Sequence, residues 1–260
     1  MRHWIIAACV LAHPAFALDV PRADIVFLGE QHDNPEHHRL QAQAVDFLSA
    51  KGLVFEMLTA EQAARITPGL LADEAALEQA LGWNDSGWPD FSIYYPIFAA
   101  AEGASFYGAA VPREETRGVS DQGLSVVFGD GAERFGLDQP LPADQQDTRE
   151  AMQMAAHCDK LPEQILPLMV DIQRLRDARL AEQALQALQD TGGPVAVITG
   201  NGHARKDWGA PYYVTFAAPD VSVASLGLGE EGASPDGGFD TVESTKGVDR
   251  GDPCAAFDKS

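Results

Sequence analysis

Two short segments, far apart in the chain, concentrate side chains that can handle protons, metals or anions. The first is Gly29-Glu30-Gln31-His32-Asp33, followed closely by His37 and His38. The second is Gly200-Asn201-Gly202-His203-Ala204-Arg205-Lys206. Between them lie an isolated carboxylate, Glu56, and the cation Arg113 next to Glu114. A Glu-x-His pair can put an acid and an imidazole into one hollow. There the imidazole binds a divalent metal, or the carboxylate serves as general base or orients the imidazole. On this reading Glu30, His32, Glu56 and His203 form the centre of a metal-assisted hydrolase, with Glu30, His32 and His203 as metal ligands. The His-Glu-x-x-His helix of zinc proteases is absent, as are a Gly-x-Ser-x-Gly elbow and a glycine-rich phosphate loop after the first strand. Protease, serine-esterase and nucleotide chemistry of those kinds are therefore disfavoured.

These segments are brought together only if they end neighbouring strands. Five apolar runs read as strands: 24–29, 52–57, 104–111, 194–200 and 221–226. They are nearly continuous in apolar character, as strands covered on both faces are. Helical patterns fill the gaps, at 34–49, 60–66, 72–81 and 162–189, with a stripe of Ile165, Leu168, Ile172, Leu175 and Leu188 on the longest. Asn34 followed by Pro35 is a helix start. The alternation predicts an α/β fold, with a mainly parallel central sheet flanked by helices and a ligand crevice at the C-terminal ends of its strands. Glu30, His32, Glu56, Arg113 and His203 all fall at such ends. In the first helix His37 shares the face of Leu40, Ala44 and Phe47 and turns inward, while His38 lies about 100° round and faces solvent. His157 reads as structural, and Arg176 with Asp177 as a buried polar network on the long helix. Residues 112–150 show order only at 124–128 and 144–155.

The balance of 18 basic against 39 acidic residues gives a net charge of −21. Such a chain repels phosphate backbones and anionic lipid, so no nucleic-acid partner is expected. With 45% hydrophobic residues, the composition is that of a globular chain. Residues 1–17 have the form of a signal peptide: Arg2, an apolar run from Trp4 to Ala12, and Ala15-Phe16-Ala17 for cleavage after Ala17. The alternative is a lipobox, Ile6-Ala7-Ala8-Cys9, with lipid anchoring at Cys9. Residues 18–228 then form a single α/β domain and 229–260 an extended C-terminal tail. Cys158 and Cys254 remain after export, and a single disulfide is the simplest use of an even pair in an oxidising compartment, against two unrelated thiols.

The run Phe27-Leu28-Gly29-Glu30-Gln31-His32-Asp33, with His37-His38 and Gln41, resembles the ChaN-like haem-binding lipoprotein family. Trp88 through Tyr95-Pro96, Ala109 through Pro112-Arg113, Gln173 with Arg176-Asp177, and Gly200-Asn201-Gly202-His203 ahead of Gly209-Ala210-Pro211 extend the resemblance. It implies the α/β domain shared with erythromycin esterases and Tiki-type metalloproteases, export to the periplasm, and a link to haem or iron uptake. Haem, a homodimer that stacks two haems, and an outer-membrane uptake receptor are the ligand and partners it implies. Family haem binding involves a tyrosine, for which Tyr94, Tyr95, Tyr107, Tyr212 and Tyr213 are the candidates and Tyr95 the choice. His32, His37 and His203 are the imidazoles placed to touch haem. Arg113 and Arg205, with Arg117 and Lys206, are the cations for its propionates. A third reading, an interaction domain whose polar loops have no chemistry, stays open beside the haem protein and the hydrolase.

Overall fold

The computed structural model describes residues 18–255, so the leader expected at 1–17, Cys9 included, lies outside the described residues. A six-stranded sheet runs β3-β2-β4-β1-β5-β6, and every pairing in it is parallel. The strands are β1 (Ile25–Leu28), β2 (Gly52–Phe55), β3 (Ser105–Gly108), β4 (Val195–Ile198), β5 (Val223–Glu230) and β6 (Thr241–Thr245). All residues of β1, β2 and β4 are buried, as their unbroken apolar character requires.

Helices cover both faces. On one side lie α1 (Pro35–Leu48), α2 (Ala60–Ala63), α3 (Pro68–Leu71), α4 (Glu74–Leu81) and α5 (Phe91–Ala99), packed on Val26, Leu28, Leu53, Phe55, Ala196 and Ile198. On the other lie α6 (Arg113–Gln122), α7 (Leu124–Phe128), α8 (Ala143–Ala156), α9 (Leu166–Thr191), α10 (Asn201–Ala204) and α11 (Ala210–Ala217). Residues of α6, α7, α9, α10 and α11 share the second core with Ile25, Phe27, Val54, Val195 and Val197. The Asn34 side chain accepts from the Glu36 amide and Pro35 occupies the first turn of α1, as expected. Pro167 falls in the first turn of α9 and leaves its 26 residues unbroken.

Three features differ from the sequence reading. The sheet continues past Leu228: β6 pairs with β5 from Leu226↔Thr241 to Glu230↔Thr245, inside the segment read as an extended tail. Its Thr-Val-Glu-Ser-Thr is half exposed at an edge and carries no apolar run. Residues 113–122 are helical where no order was expected, and α5 and α11 are helices the pattern did not mark. The buried face of α1 is His37, His38, Gln41, Ala44, Val45 and Leu48, rotated away from Phe47, which is exposed under the Arg22 guanidinium. His38 is therefore buried, not solvated, because α5 packs across that side of α1.

The disulfide Cys158–Cys254 ties the end of the described chain to the α8–α9 corner. No helix among the described residues is long and apolar enough to cross a membrane.

Candidate functional site

The chain leaves β1 toward β2 on one side of it and leaves β4 toward β5 on the other, so the adjacent strands β1 and β4 flank a switch point. Register makes the site. Leu28, Phe55 and Ile198 share one row, so the residues that follow them emerge level. Glu30, Glu56 and Thr199 stand there, and His203 on α10 faces Glu56.

Glu30 is buried at the floor. Its Oε1 lies 2.7 Å from His32 Nδ1 and accepts from the Tyr94 hydroxyl at 2.9 Å. Its Oε2 lies 3.4 Å from His38 Nδ1, an ion pair rather than a hydrogen bond of good geometry. Burial works to raise the Glu30 pKa, but His32 and His38 outweigh it and hold the carboxyl well below the usual range. His32 is half-buried against Trp88, ring centroids 4.8 Å apart. Burial would lower its pKa, yet the bond to Glu30 and the charges of Glu56, Glu30 and Asp33 push it up to about 9. Its Nε2 has no hydrogen-bond partner among the described residues and faces Gly200, where a Cβ would stand 2.9 Å from it. Glycine at 200 is what leaves that nitrogen room.

The two histidines of α1 carry different charges. The Gln31 amide donates to His37 Nδ1 at 2.8 Å, so His37 is neutral and donates through Nε2 to the Gly229 carbonyl at 3.1 Å. Burial lowers its pKa, in agreement. His38 meets only acceptors: Gln41 Oε1 and Glu30 at Nδ1, and the His32 carbonyl at Nε2. Burial opposes charge there, but Glu30 raises the pKa, and His38 is an imidazolium.

The second half of the cluster is centred on His203. Its Nδ1 is 2.6 Å from Asp177 Oδ1 on α9, and its Nε2 is 3.7 Å from Glu56 Oε1. Burial would lower its pKa, but Glu56 and Asp177 raise it. Glu56 accepts from the Thr199 hydroxyl at 2.6 Å and the Gly200 amide at 2.9 Å. Burial opposes its charge too, while His203 and His32 hold its pKa down. Asn201 fixes the loop by bridging to β5, donating to the Leu228 carbonyl at 2.8 Å and accepting from its amide at 3.0 Å. It passes over Gly29, where a Cβ would collide with its Oδ1.

Of the residues expected here, Glu30, His32, Glu56 and His203 come together, and His37 lies behind them. Tyr95 does not join: its hydroxyl turns away to the Leu71 carbonyl at 3.0 Å. Its neighbour Tyr94 is the tyrosine of the site. Burial and the Glu30 charge raise the Tyr94 pKa, so it is a neutral donor and not a phenolate. Arg113 is exposed at the start of α6 and makes no ion pair among the described residues. Arg205 is buried and committed to Asp207 at 2.6 and 2.7 Å; Lys206 is held by Asp240 at 2.6 Å. The arginine paired with Asp177 is Arg149 on α8, at 3.5 Å, beside the closer His203. Among the described residues, no three of His, Cys, Asp and Glu are grouped as a metal site, so Glu30, His32 and His203 do not converge on one point. His32 is instead bonded to Glu30, and His203 to Asp177.

A cavity of about 580 Å³ lies outside this cluster, lined by Phe135, Arg174, Trp208, Tyr212 and Phe216. A smaller chamber of about 90 Å³ adjoins Asp177 and shares Trp208 with it.

A doubly wound parallel sheet with paired carboxylates and imidazoles at its switch point defines an α/β domain built to hold a small ligand. The chain belongs to the family described as haem-binding uptake, Tiki superfamily, ChaN, whose family model matches residues 16–214. Among solved structures it is similar to ChaN of Campylobacter jejuni, described as showing cofacial haem binding. That likeness has a TM-score of 0.60 at 19% identity, over 81% of this chain and 83% of that one. The type III effector HopBA1 matches at a TM-score of 0.48 and 13% identity, over 86% of this chain and 88% of its own. An erythromycin esterase mutant in its open conformation matches at 0.42 and 12%, over 80% of this chain and 70% of its own. Likeness at the level of these last two carries no functional argument. No curated protein matches the sequence.

Proposed function

We propose that this chain is an exported haem-binding protein that handles haem for haem or iron uptake. The observation that carries the reading is His32, within the family match. Its Nδ1 is held by a buried carboxylate, its Nε2 is unbonded among the described residues, and its ring reaches the crevice mouth beside Trp88. These groups fit haem. A neutral imidazole is a common axial ligand of haem iron, and a carboxylate on the far nitrogen fixes the ring and raises its basicity. His32 would hold the iron through Nε2 once that nitrogen has released its proton to solvent, and Glu30 would keep the bond to the Nδ1 proton. His203 and Glu56 would line the same crevice, and Arg113, exposed and without an ion pair among the described residues, would be a cation for a propionate. The reading carries with it a homodimer and an outer-membrane uptake receptor as partners, and the periplasm as its place. Hemin titrated into the mature chain should give a saturable Soret band, shifted or lost in His32→Ala. No spectral change at stoichiometric hemin overturns the reading.

A hydrolase is the second reading, and one observation favours it. His203 is oriented by Asp177 through one nitrogen and faces Glu56 with the other, an arrangement able to move a proton. Ester or peptide hydrolysis abolished by Glu56→Gln and by His203→Gln supports it. Absence of turnover across a broad substrate panel removes it.

A further inference from the structure

We infer that the chamber between α8, α9 and the loop joining α10 to α11 is an oxyanion site that takes a carboxylate. Its walls include Arg149, Gln153, Gln173, Arg205 and Trp208, with Asp177 as the acidic member. At about 90 Å³ it has room for about three waters at roughly 30 Å³ each, the size of a carboxylate with its first carbons.

Arg149 is the reason. Its residue is only 5% exposed, and its Nη1 is buried with no hydrogen-bond partner among the described residues. Nη2 reaches Asp177 Oδ2 at 3.5 Å, a long contact, because Asp177 turns its other oxygen to His203 at 2.6 Å. A guanidinium has only donors, and a buried one with a single distant acceptor is costly to keep. The second guanidinium repeats the pattern. Arg205 is also 5% exposed, uses Nε and Nη2 on Asp207, and leaves Nη1 only the Met152 sulfur at 3.9 Å, a weak acceptor. Trp208 fixes both cations, with the Arg205 carbon 3.9 Å and the Arg149 carbon 6.0 Å from its ring centre. Two guanidiniums, each with an under-used Nη1, and two carboxamides therefore line a small space whose one carboxylate, Asp177, is already engaged by His203 and Arg149. A planar carboxylate supplies two acceptor oxygens to such forks. In a chain of net charge −21, cations enclosed this way do not serve long-range steering; they serve what enters the chamber.

The carboxylate site stands on this geometry alone. Its assignment to a haem propionate rests on the haem reading, to which Asp177 links it by touching both Arg149 and His203.

The test has two arms. Thermal melts of the whole mature chain at fixed ionic strength compare sodium propionate with sodium chloride and inorganic phosphate. Propionate should raise the Tm saturably, and its apparent affinity should fall about tenfold in Arg149→Lys, which keeps the charge but not the fork, and in Gln173→Leu, which leaves the buried charges alone. No propionate effect beyond chloride, or an unchanged effect in both variants, overturns the site. Tighter binding of phosphate than of propionate overturns the carboxylate assignment. In the second arm hemin and its dimethyl ester are titrated into wild type and Arg149→Lys. Hemin should weaken about tenfold in the variant while the ester is indifferent. Hemin that binds both proteins equally overturns the propionate assignment and leaves the haem reading standing. A propionate response without hemin binding supports the carboxylate site and refutes the haem reading.

Discussion

Glu30 and His32, two residues apart at the end of β1, meet at 2.7 Å with the carboxylate buried and the imidazole at the crevice mouth. Iron would need a neutral Nε2, and His32 keeps its proton to about pH 9. Hemin affinity should therefore rise with pH until about 9 and level off above it. Glu30→Gln should move that midpoint down toward the ordinary 6.5, as hemin titrations across pH and proton NMR of the ring can show. An unchanged midpoint in Glu30→Gln contradicts the coupling. Stability follows the same signs. The His32 contribution is complete below about 6.5 and is lost as pH rises through about 9. The Glu30 contribution is complete above its unfolded value of 4.5 and is lost only as pH falls through its depressed folded value. The pair thus stabilises most between about 4.5 and 6.5.

Tyr94→Phe removes a buried donor from Glu30 Oε1 and leaves the ring packing on His38 and Trp83 in place. The expected cost is about 1–2 kcal/mol in urea unfolding. Tyr95→Phe frees only one half-buried carbonyl, that of Leu71, and should cost less. Equal costs would mean that the Tyr94–Glu30 bond is not formed.

The contrast between these tyrosines marks what one dimension can and cannot show. Strand ends were legible, because β1, β2 and β4 are apolar to the last residue and their polar followers had to meet if the sheet was parallel. Glu30, His32, Glu56 and His203 follow from that alone. Tyr94 and Tyr95 differ by 100° on α5, and only the crossing of α5 over α1 decides which one faces Glu30. The same crossing buries His38. Arg149 is the one buried residue of α8, on a helix with no apolar stripe to locate its face. Strand β6 is polar and lies at an edge, so its pairing depends on β5 offering a partner and not on its own composition.

Asp177 is shared by two cationic groups, His203 at 2.6 Å and Arg149 at 3.5 Å, all three buried. Asp177→Asn leaves Arg149 without a charged partner in the interior and His203 with Glu56 alone, and should cost about 3–5 kcal/mol in chemical denaturation. Adding Arg149→Met should restore part of that loss, since the stranded charge is then gone. A double variant as unstable as the sum of the singles would show that the two side chains are not coupled.

Two of the attachments that hold the C-terminal segment differ in strength. Arg250 holds Asp33, next to His32, at 2.5 and 2.7 Å, and Glu230 at 2.7 and 2.8 Å. These groups are partly exposed, and such pairs contribute about 0–1 kcal/mol. The disulfide closes a loop across 96 positions and is worth on the order of 4 kcal/mol by constraining the unfolded chain. Arg250→Ala should therefore leave the unfolding midpoint nearly unchanged while speeding amide exchange at residues 30–34, where Asp33 loses its anchor. It should also let the Glu230 pKa climb from about 2 toward 4.5, because Arg250 is the main cause of that depression. Replacing both Cys158 and Cys254 by Ser should lower the midpoint outright, reproduced in wild type by a reductant. If Arg250→Ala proves as destabilising as loss of the disulfide, with no local change in exchange at 30–34, then the segment is held as one unit and the two attachments do not act separately.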